Sequence, residues 1–152
     1  MKKISSCLWF DNQAEEAANF YISVFKNSKL GKVMRYDAAS AKVSGRPEGS
    51  VLTVSFQLED MDFIALNGGP IFKFTEAISF VISCENQAEI DHYWKKLSAV
   101  PESEQCGWLK DKYGVSWQVV PKNIDELVST PAGMQAMLKM KKLVIADLEN
   151  AK

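Results

Sequence analysis

The chain has little of what a metal, phosphate or membrane function would draw on. It carries one histidine and three cysteines, and no apolar run approaches the roughly 20 residues that a membrane helix requires. Cys7, Cys84 and Cys106 are odd in number and share no C-x-x-C spacing. They belong to a chain of 152 residues, large enough to need no covalent staple, so they read as the reduced thiols of a cytoplasmic protein. Charge of one sign is missing too, because 18 basic against 19 acidic residues leave a net −1. Such a balance provides no overall field to draw the chain to nucleic acid or to anionic lipid. The N-terminus, Met1-Lys2-Lys3 and a short apolar run, meets Asp11 and Asn12 early and shows no small-residue cleavage site. There is no G-x-G-x-x-G element to hold the adenosine of a methyl donor, and Gly68-Gly69-Pro70 lacks the lysine and following helix of a phosphate loop.

What is present is a core and a repeat. The 47% hydrophobic content suits one compact domain over residues 1–152. Asn12-Gln13-Ala14-Glu15 recurs as Asn86-Gln87-Ala88-Glu89, an offset of 74 (86 − 12), and Phe20 falls on Trp94 at the same offset. Each copy follows an apolar run, Ile4 to Phe10 and Ile78 to Cys84, so the unit reads as strand, turn and helix. Asn12 with Glu15 and Asn86 with Glu89 have the spacing of a capping box. Ala14, Ala17, Ala18, Tyr21, Val24 and Phe25 give the first helix an apolar face, and Ile90, Tyr93, Trp94 and Leu97 do so for the second.

Downstream, Asp60 to Pro70 parallels Asp111 to Pro121 at an offset of 51 (111 − 60). The drop in offset implies an insertion in the first copy, and Asp37 to Ser50, with its Gly45-Arg46-Pro47-Glu48-Gly49, reads as a flexible loop. Alternation in Val51 to Leu58 marks a strand, as does Val115 to Val120. The third strand of the second copy falls near Ala99 to Ser103 and is weakly marked. Thr130 followed by Pro131 starts a C-terminal helix whose Met134, Met137 and Leu138 would cover the chain's own sheet or a dimer mate.

Leu8-Trp9-Phe10-Asp11, Leu66-Asn67-Gly68-Gly69-Pro70, Phe72-Lys73-Phe74, Cys106-Gly107-Trp108-Leu109-Lys110-Asp111 and Tyr113 to Pro121 together resemble the PhnB-like branch of the glyoxalase/bleomycin-resistance (vicinal oxygen chelate) superfamily. Members of that branch often carry the name 3-demethylubiquinone-9 3-methyltransferase. The resemblance covers most of residues 4–145. It implies an α+β fold of two βαβββ modules, about 1–72 and 73–121, forming a curved mixed sheet around a ligand hollow, with a helical tail over 122–152. It also implies a homodimer, and in metal-bearing relatives a divalent ion held by His, Glu or Gln from the first and last strands of each module.

Superposing the copies at offset 51 sets Asn67 over Gln118 and Ala65 over Ser116. A period of two then places Ala65, Asn67, Ser116 and Gln118 on one strand face, with Ile64, Leu66, Val115, Trp117 and Val119 on the other, against the helices. The small polar set, joined by Thr53, Ser55 and Gln57 and floored by Trp9, is the candidate small-molecule site. Asn67 and Gln118 are neutral amides, and the first strands supply Ser5, Ser6 and Cys7, with Glu76 and Ser79, rather than a His/Glu set. The expectation is therefore no resident metal, beyond a weakly bound divalent ion. His92 falls within a helix. Glu76 as a base and Cys106 as a nucleophile are the candidate catalytic groups, against readings as a solvated strand-end charge and a small buried apolar group. Three functions follow: a small-molecule binder; a metal-dependent lyase, isomerase, dioxygenase or transferase; and a structural dimer module.

Overall fold

A computed structural model describes residues 2–151. The fold is α+β, and the chain divides after Lys73 into two compact units, each carrying an open mixed sheet.

The first unit runs β1 (Ser6–Phe10), α1 (Ala14–Val24), β2 (Ser28–Arg35), α2 (Ala38–Ser44), β3 (Val51–Leu58) and β4 (Met61–Asn67), with sheet order β1-β4-β3-β2. Only the β1–β4 pair is parallel. The helical stripe Ala14, Ala17, Ala18, Tyr21 and Val24 is buried, as its 3.6-residue spacing demands. It meets Val54, Phe56 and Leu58 of β3 and Phe63 of β4, which alternate with half-buried neighbours. Tyr21 stacks on Phe56 at 6.1 Å between ring centroids, and Phe56 on Phe63 at 5.1 Å. Each such buried side chain stabilises the unit by about 1.5–3 kcal/mol.

The stretch from Asp37 to Ser50 is not the loop expected from its glycines. It holds α2, started by a capping box in which Asp37 accepts from the Ser40 N–H while the Ser40 hydroxyl accepts from the Asp37 N–H. Gly45 ends it in the left-handed conformation at φ 74°. The D-x-x-S…G signature was present in the sequence, and the glycine that suggested a loop is the helix stop.

The second unit runs β5 (Ser79–Cys84), α3 (Gln87–Leu97), β6 (Trp108–Lys110), β7 (Ser116–Pro121), α4 (Ile124–Leu127), α5 (Pro131–Leu138) and α6 (Ile145–Glu149). Its sheet has three strands, ordered β5-β7-β6, rather than the four expected of a βαβββ module. A 3₁₀ turn over Pro101–Ser103 stands in place of the missing strand, because Pro101 has no N–H to offer a ladder and favours the first position of a helical turn. The outer edge of β6 is still satisfied. The Ala99 N–H donates to Lys110 O at 3.0 Å, and Ser103 Oγ accepts from the Lys110 N–H at 3.0 Å.

The tail is three short helices rather than one. Thr130 caps α5 by accepting from the Gly133 N–H, as its sequence indicated. Leu143 and Leu148 pack with Val120 in a small core of their own, joined by Met137 and Met140. Backbone bonds from Cys106 N–H to Met140 O and from Gly107 N–H to Lys141 O fasten the tail to the turn before β6. Gln87 clamps it from α3, donating to Leu143 O and accepting from the Ile145 N–H. Among the described residues no helix is long and apolar enough to cross a membrane.

Candidate functional site

The two units treat their expected site residues in opposite ways. In the second, cross-strand register sets Ser79 beside Ser116 and Ser116 beside Lys110, with Val81, Gln118 and Trp108 forming the next row. These residues alternate with Phe80, Ile82, Trp117 and Leu109, so they share the sheet face turned away from the apolar core. Gln118 Nε2 donates to Ser79 Oγ at 2.9 Å. Ser116 is buried, and its hydroxyl finds no hydrogen-bond partner among the described residues. Lys110 pairs with Glu76. That contact holds the Glu76 carboxyl below the ordinary glutamate range. Glu76 is thus a mostly exposed carboxylate fixed as an anion, a state ill suited to holding a proton at neutral pH. Behind this face the buried Asp111 orders the β6–β7 turn. One carboxylate oxygen accepts from the Tyr113 and Val115 N–H groups at 2.8 and 3.1 Å, the other from Trp117 Nε1 at 2.8 Å.

In the first unit the expected face is reversed. Ala65 and Asn67 are buried with Phe63 on the side of α1, while Ile64 and Leu66 are half-buried on the open side. Asn67 Oδ1 accepts from the Ala14 N–H at 2.8 Å, Nδ2 donates to Val51 O at 3.2 Å, and its backbone carbonyl accepts from the Tyr36 hydroxyl at 2.5 Å. Asn67 therefore caps α1 from across the sheet. Asn12, the cap suggested by sequence, is exposed, and α1 has no cap from its own flanking side chain. In the second unit Asn86 does cap α3, accepting from the Glu89 N–H, though Glu89 returns its carboxylate to the Glu85 N–H rather than completing the box.

The reversal comes from the register. In the sheets, Leu8 pairs with Ala65 and Phe10 with Asn67, while Ile82 pairs with Val119 and Cys84 with Pro121. Carrying β1 onto β5 at offset 74 therefore carries Ala65 onto Val119, an offset of 54 (119 − 65) rather than 51. Backbone bonds confirm it, since Gly68 N–H donates to Phe10 O and Lys122 N–H to Cys84 O, both at 2.9 Å. A three-residue error is odd, and an odd shift exchanges the faces of a strand. Asn67 and Gln118 are not equivalent; Asn67 matches Pro121, and Gln118 matches Ile64.

The other expected residues are scattered. Thr53, Ser55 and Trp9 do lie on the open face of the first sheet. Ser55 Oγ accepts from the Lys32 N–H at 2.8 Å, where β2 bulges at Gly31; a Cβ on Gly31 would lie 2.3 Å from that oxygen. Trp9 Nε1 donates to Gly69 O, and its ring lies against Gly68, where a Cβ would come within 2.0 Å of it, and edge-on to Phe72. Cys106 sits at a left-handed corner, φ 53°, and its N–H is spent on the tail. His92 is exposed on α3. Burial pushes the Cys7 thiol up, and burial together with the Glu89 charge pushes Cys84 up to about 12.

Among the described residues no group of three His, Cys, Asp or Glu side chains comes together as a metal cage. On the open faces the first and last strands of the two units present Cys7, Trp9, Ile64 and Leu66, and Ser79, Val81, Ser116 and Gln118. Taken unit by unit, these faces offer one thiol in the first and two hydroxyls and one amide in the second, with no carboxylate or imidazole in either, and neither set fits the divalent ion of metal-bearing relatives. Lys110 and Glu76 in the second unit, and Asn67 as a long-range cap, are the residues whose roles the sequence pattern did not disclose. Lys110 was legible only once its strand partner Ser116 was known.

A family profile for 3-demethylubiquinone-9 3-methyltransferase matches residues 2–120, ending where the tail begins. The PhnB protein of Bacillus cereus, putatively named for the same methyltransferase activity, is 36% identical over 78% of this chain and 99% of its own, with a TM-score of 0.64. A Pseudomonas aeruginosa protein, 16% identical over 80% of this chain and 98% of its own, has a TM-score of 0.57. A lactoylglutathione lyase from Agrobacterium tumefaciens is 17% identical over 81% and 96%, at a TM-score of 0.43. Among curated proteins none matches the chain.

Proposed function

This chain belongs to the 3-demethylubiquinone-9 3-methyltransferase family, in which the PhnB protein of Bacillus cereus is a relative, and from that footing we propose that it binds a small molecule on the open face of its second sheet without a resident metal. The observation that carries the reading is the Ser79–Ser116–Gln118 group. It combines a buried hydroxyl lacking a partner with an amide whose described side-chain bond uses only its NH2. Buried polar groups are ordinarily paired, so an unpaired one beside a half-exposed amide supports a site whose partner comes from outside.

The proposal is tested by thermal shift over a metabolite panel, because a ligand that binds the native state alone must raise its melting temperature. The expected result is at least one stabilising compound whose effect is lost in Q118A. A panel with no stabiliser dependent on Gln118, in protein whose fold is intact, overturns it. Elemental analysis of protein purified without chelator is expected to find no stoichiometric metal. We also propose a homodimer in a reducing compartment such as the cytoplasm; three free cysteines support the compartment, and the exposed apolar side chains of Ile71, Phe72 and Ile78 support self-association. Sedimentation returning a monomer would remove the dimer.

A further inference from the structure

The row Ser79–Ser116–Lys110 carries more than the proposal above uses. Neighbouring strands lie about 4.8 Å apart, so these three side chains project side by side from one face. The row offers an ammonium group and two hydroxyls. Ser79 Oγ accepts from Gln118 and so keeps its own proton to donate, and the Ser116 hydroxyl has no acceptor among the described residues. Two hydroxyl donors thus stand in one cross-strand row with a lysine, the residue types that an oxyanion site uses.

One acceptor is already there. Glu76 lies in the segment leading into β5 and reaches Lys110, with 60% of its side chain exposed against 26% for Lys110. With the carboxylate partner mostly in solvent, the pair is screened on that side and the carboxylate can be exchanged. Replacing one carboxylate by another leaves the charge on Lys110 balanced, and an incoming carboxylate that also reaches Ser116 would satisfy the hydroxyl that Glu76 leaves unpaired. One pleat repeat along, about 6.6 Å away, the next row sets Trp108 and the exposed Val81 on either side of Gln118. An acid reaching from the first row to the second would place an apolar body against these two side chains.

We propose that Ser79, Ser116 and Lys110 bind the carboxylate of a small apolar monocarboxylic acid, and that Glu76 occupies Lys110 until the acid displaces it. This rests on the small-molecule reading of the same face and gives that reading a ligand class.

The test is a titration with benzoate, and with benzamide as its uncharged counterpart, followed by the backbone amide shifts of Ser79, Lys110 and Ser116 and the Gln118 side-chain NH2. Benzoate is expected to move these signals. Benzamide and the K110M variant are each expected to weaken binding by about tenfold or more, since a charge-assisted contact is lost. K110R is expected to hold benzoate within about threefold because it keeps the cation. S116A should weaken binding severalfold, and E76Q should tighten it severalfold by removing the internal competitor. That last direction separates a displaceable carboxylate from a purely structural ion pair, whose loss would leave affinity unchanged or lower. Spectra of K110M and E76Q unchanged away from the site show that the fold persists. Equal binding of benzamide, indifference to K110M, an E76Q variant that fails to tighten, or no shift at these residues up to about 50 mM benzoate, well above a weak site's millimolar constant, each overturns the proposal. If benzoate fails while a neutral compound still stabilises in a Gln118-dependent way, the ligand class is wrong and the site remains; if neither depends on these residues, both are wrong.

Discussion

Replacing Asn67 by alanine should damage the first unit far more than replacing Asn12, although Asn12 is the residue that looks like the helix cap. Removing Asn67 Oδ1 takes the acceptor from the Ala14 N–H at the start of α1, a loss of about 1 kcal/mol for a typical cap. Removing Nδ2 takes the side-chain donor from Val51 O, a part-buried bond worth about 0.5–1.5 kcal/mol. The sum is about 1.5–2.5 kcal/mol for N67A. Asn12 is exposed and its side chain caps nothing, so N12A should stay within about 0.5 kcal/mol of the parent. Urea unfolding monitored by far-UV circular dichroism gives the two free energies, and amide exchange locates them: the Ala14 N–H should lose protection in N67A and keep it in N12A. Equal costs for the two variants, or a protected Ala14 amide in N67A, would refute the assignment of the cap to β4.

Three further changes probe the same structure. G68A would drive a methyl group into the Trp9 ring, which lies within 2.0 Å of its position; overpacking of this kind costs about 1–3 kcal/mol, and calorimetry should show a lowered melting temperature. D111N keeps an oxygen for the Tyr113 and Val115 N–H groups but turns an NH2 toward Trp117 Nε1, so urea unfolding should show a loss of about 1–3 kcal/mol, with D111A losing more. The Asp37 carboxyl is held below its ordinary value by its bonds to Ser40, so its contribution to α2 is present above the unfolded-state value and is lost as pH falls through the lowered folded one. Amide exchange across 38–44 should therefore accelerate only below the usual aspartate range, and D37N should abolish that step.

How much of this was legible in the sequence depended on whether each segment's pattern could select a face. The stripe of α1 is written in small and aromatic residues at helical spacing, and β3 alternates Val54, Phe56 and Leu58 with Thr53, Ser55 and Gln57, so both faces could be read directly. β7 alternates Trp117 and Val119 with Ser116 and Gln118, and the open position of Gln118 follows. β4 offers no such choice: Phe63, Ile64, Ala65 and Leu66 are all apolar, and either parity buries two of them. Its face is decided by tertiary pairing, Phe63 lying opposite Phe56 over Tyr21.

The Asp and Pro landmarks that aligned the two copies misled because their turns differ. Leu58 and Met61 close on the two residues Glu59 and Asp60, while the Asp111 N–H bonds Val115 O around three residues, with Gly114 at φ 89°. Asp60 is therefore a turn residue, whereas Asp111 is a buried anchor at the end of a strand, and matching them displaced the alignment by an odd number. A side chain's face is a property of register, which depends on turn length as well as on the strand's own letters. This is why one amide of the expected pair is committed to the fold at a helix terminus while the other remains on the open sheet beside Ser79, Ser116 and Lys110. The candidate site accordingly lies within the second unit alone, where the strand pattern was unambiguous.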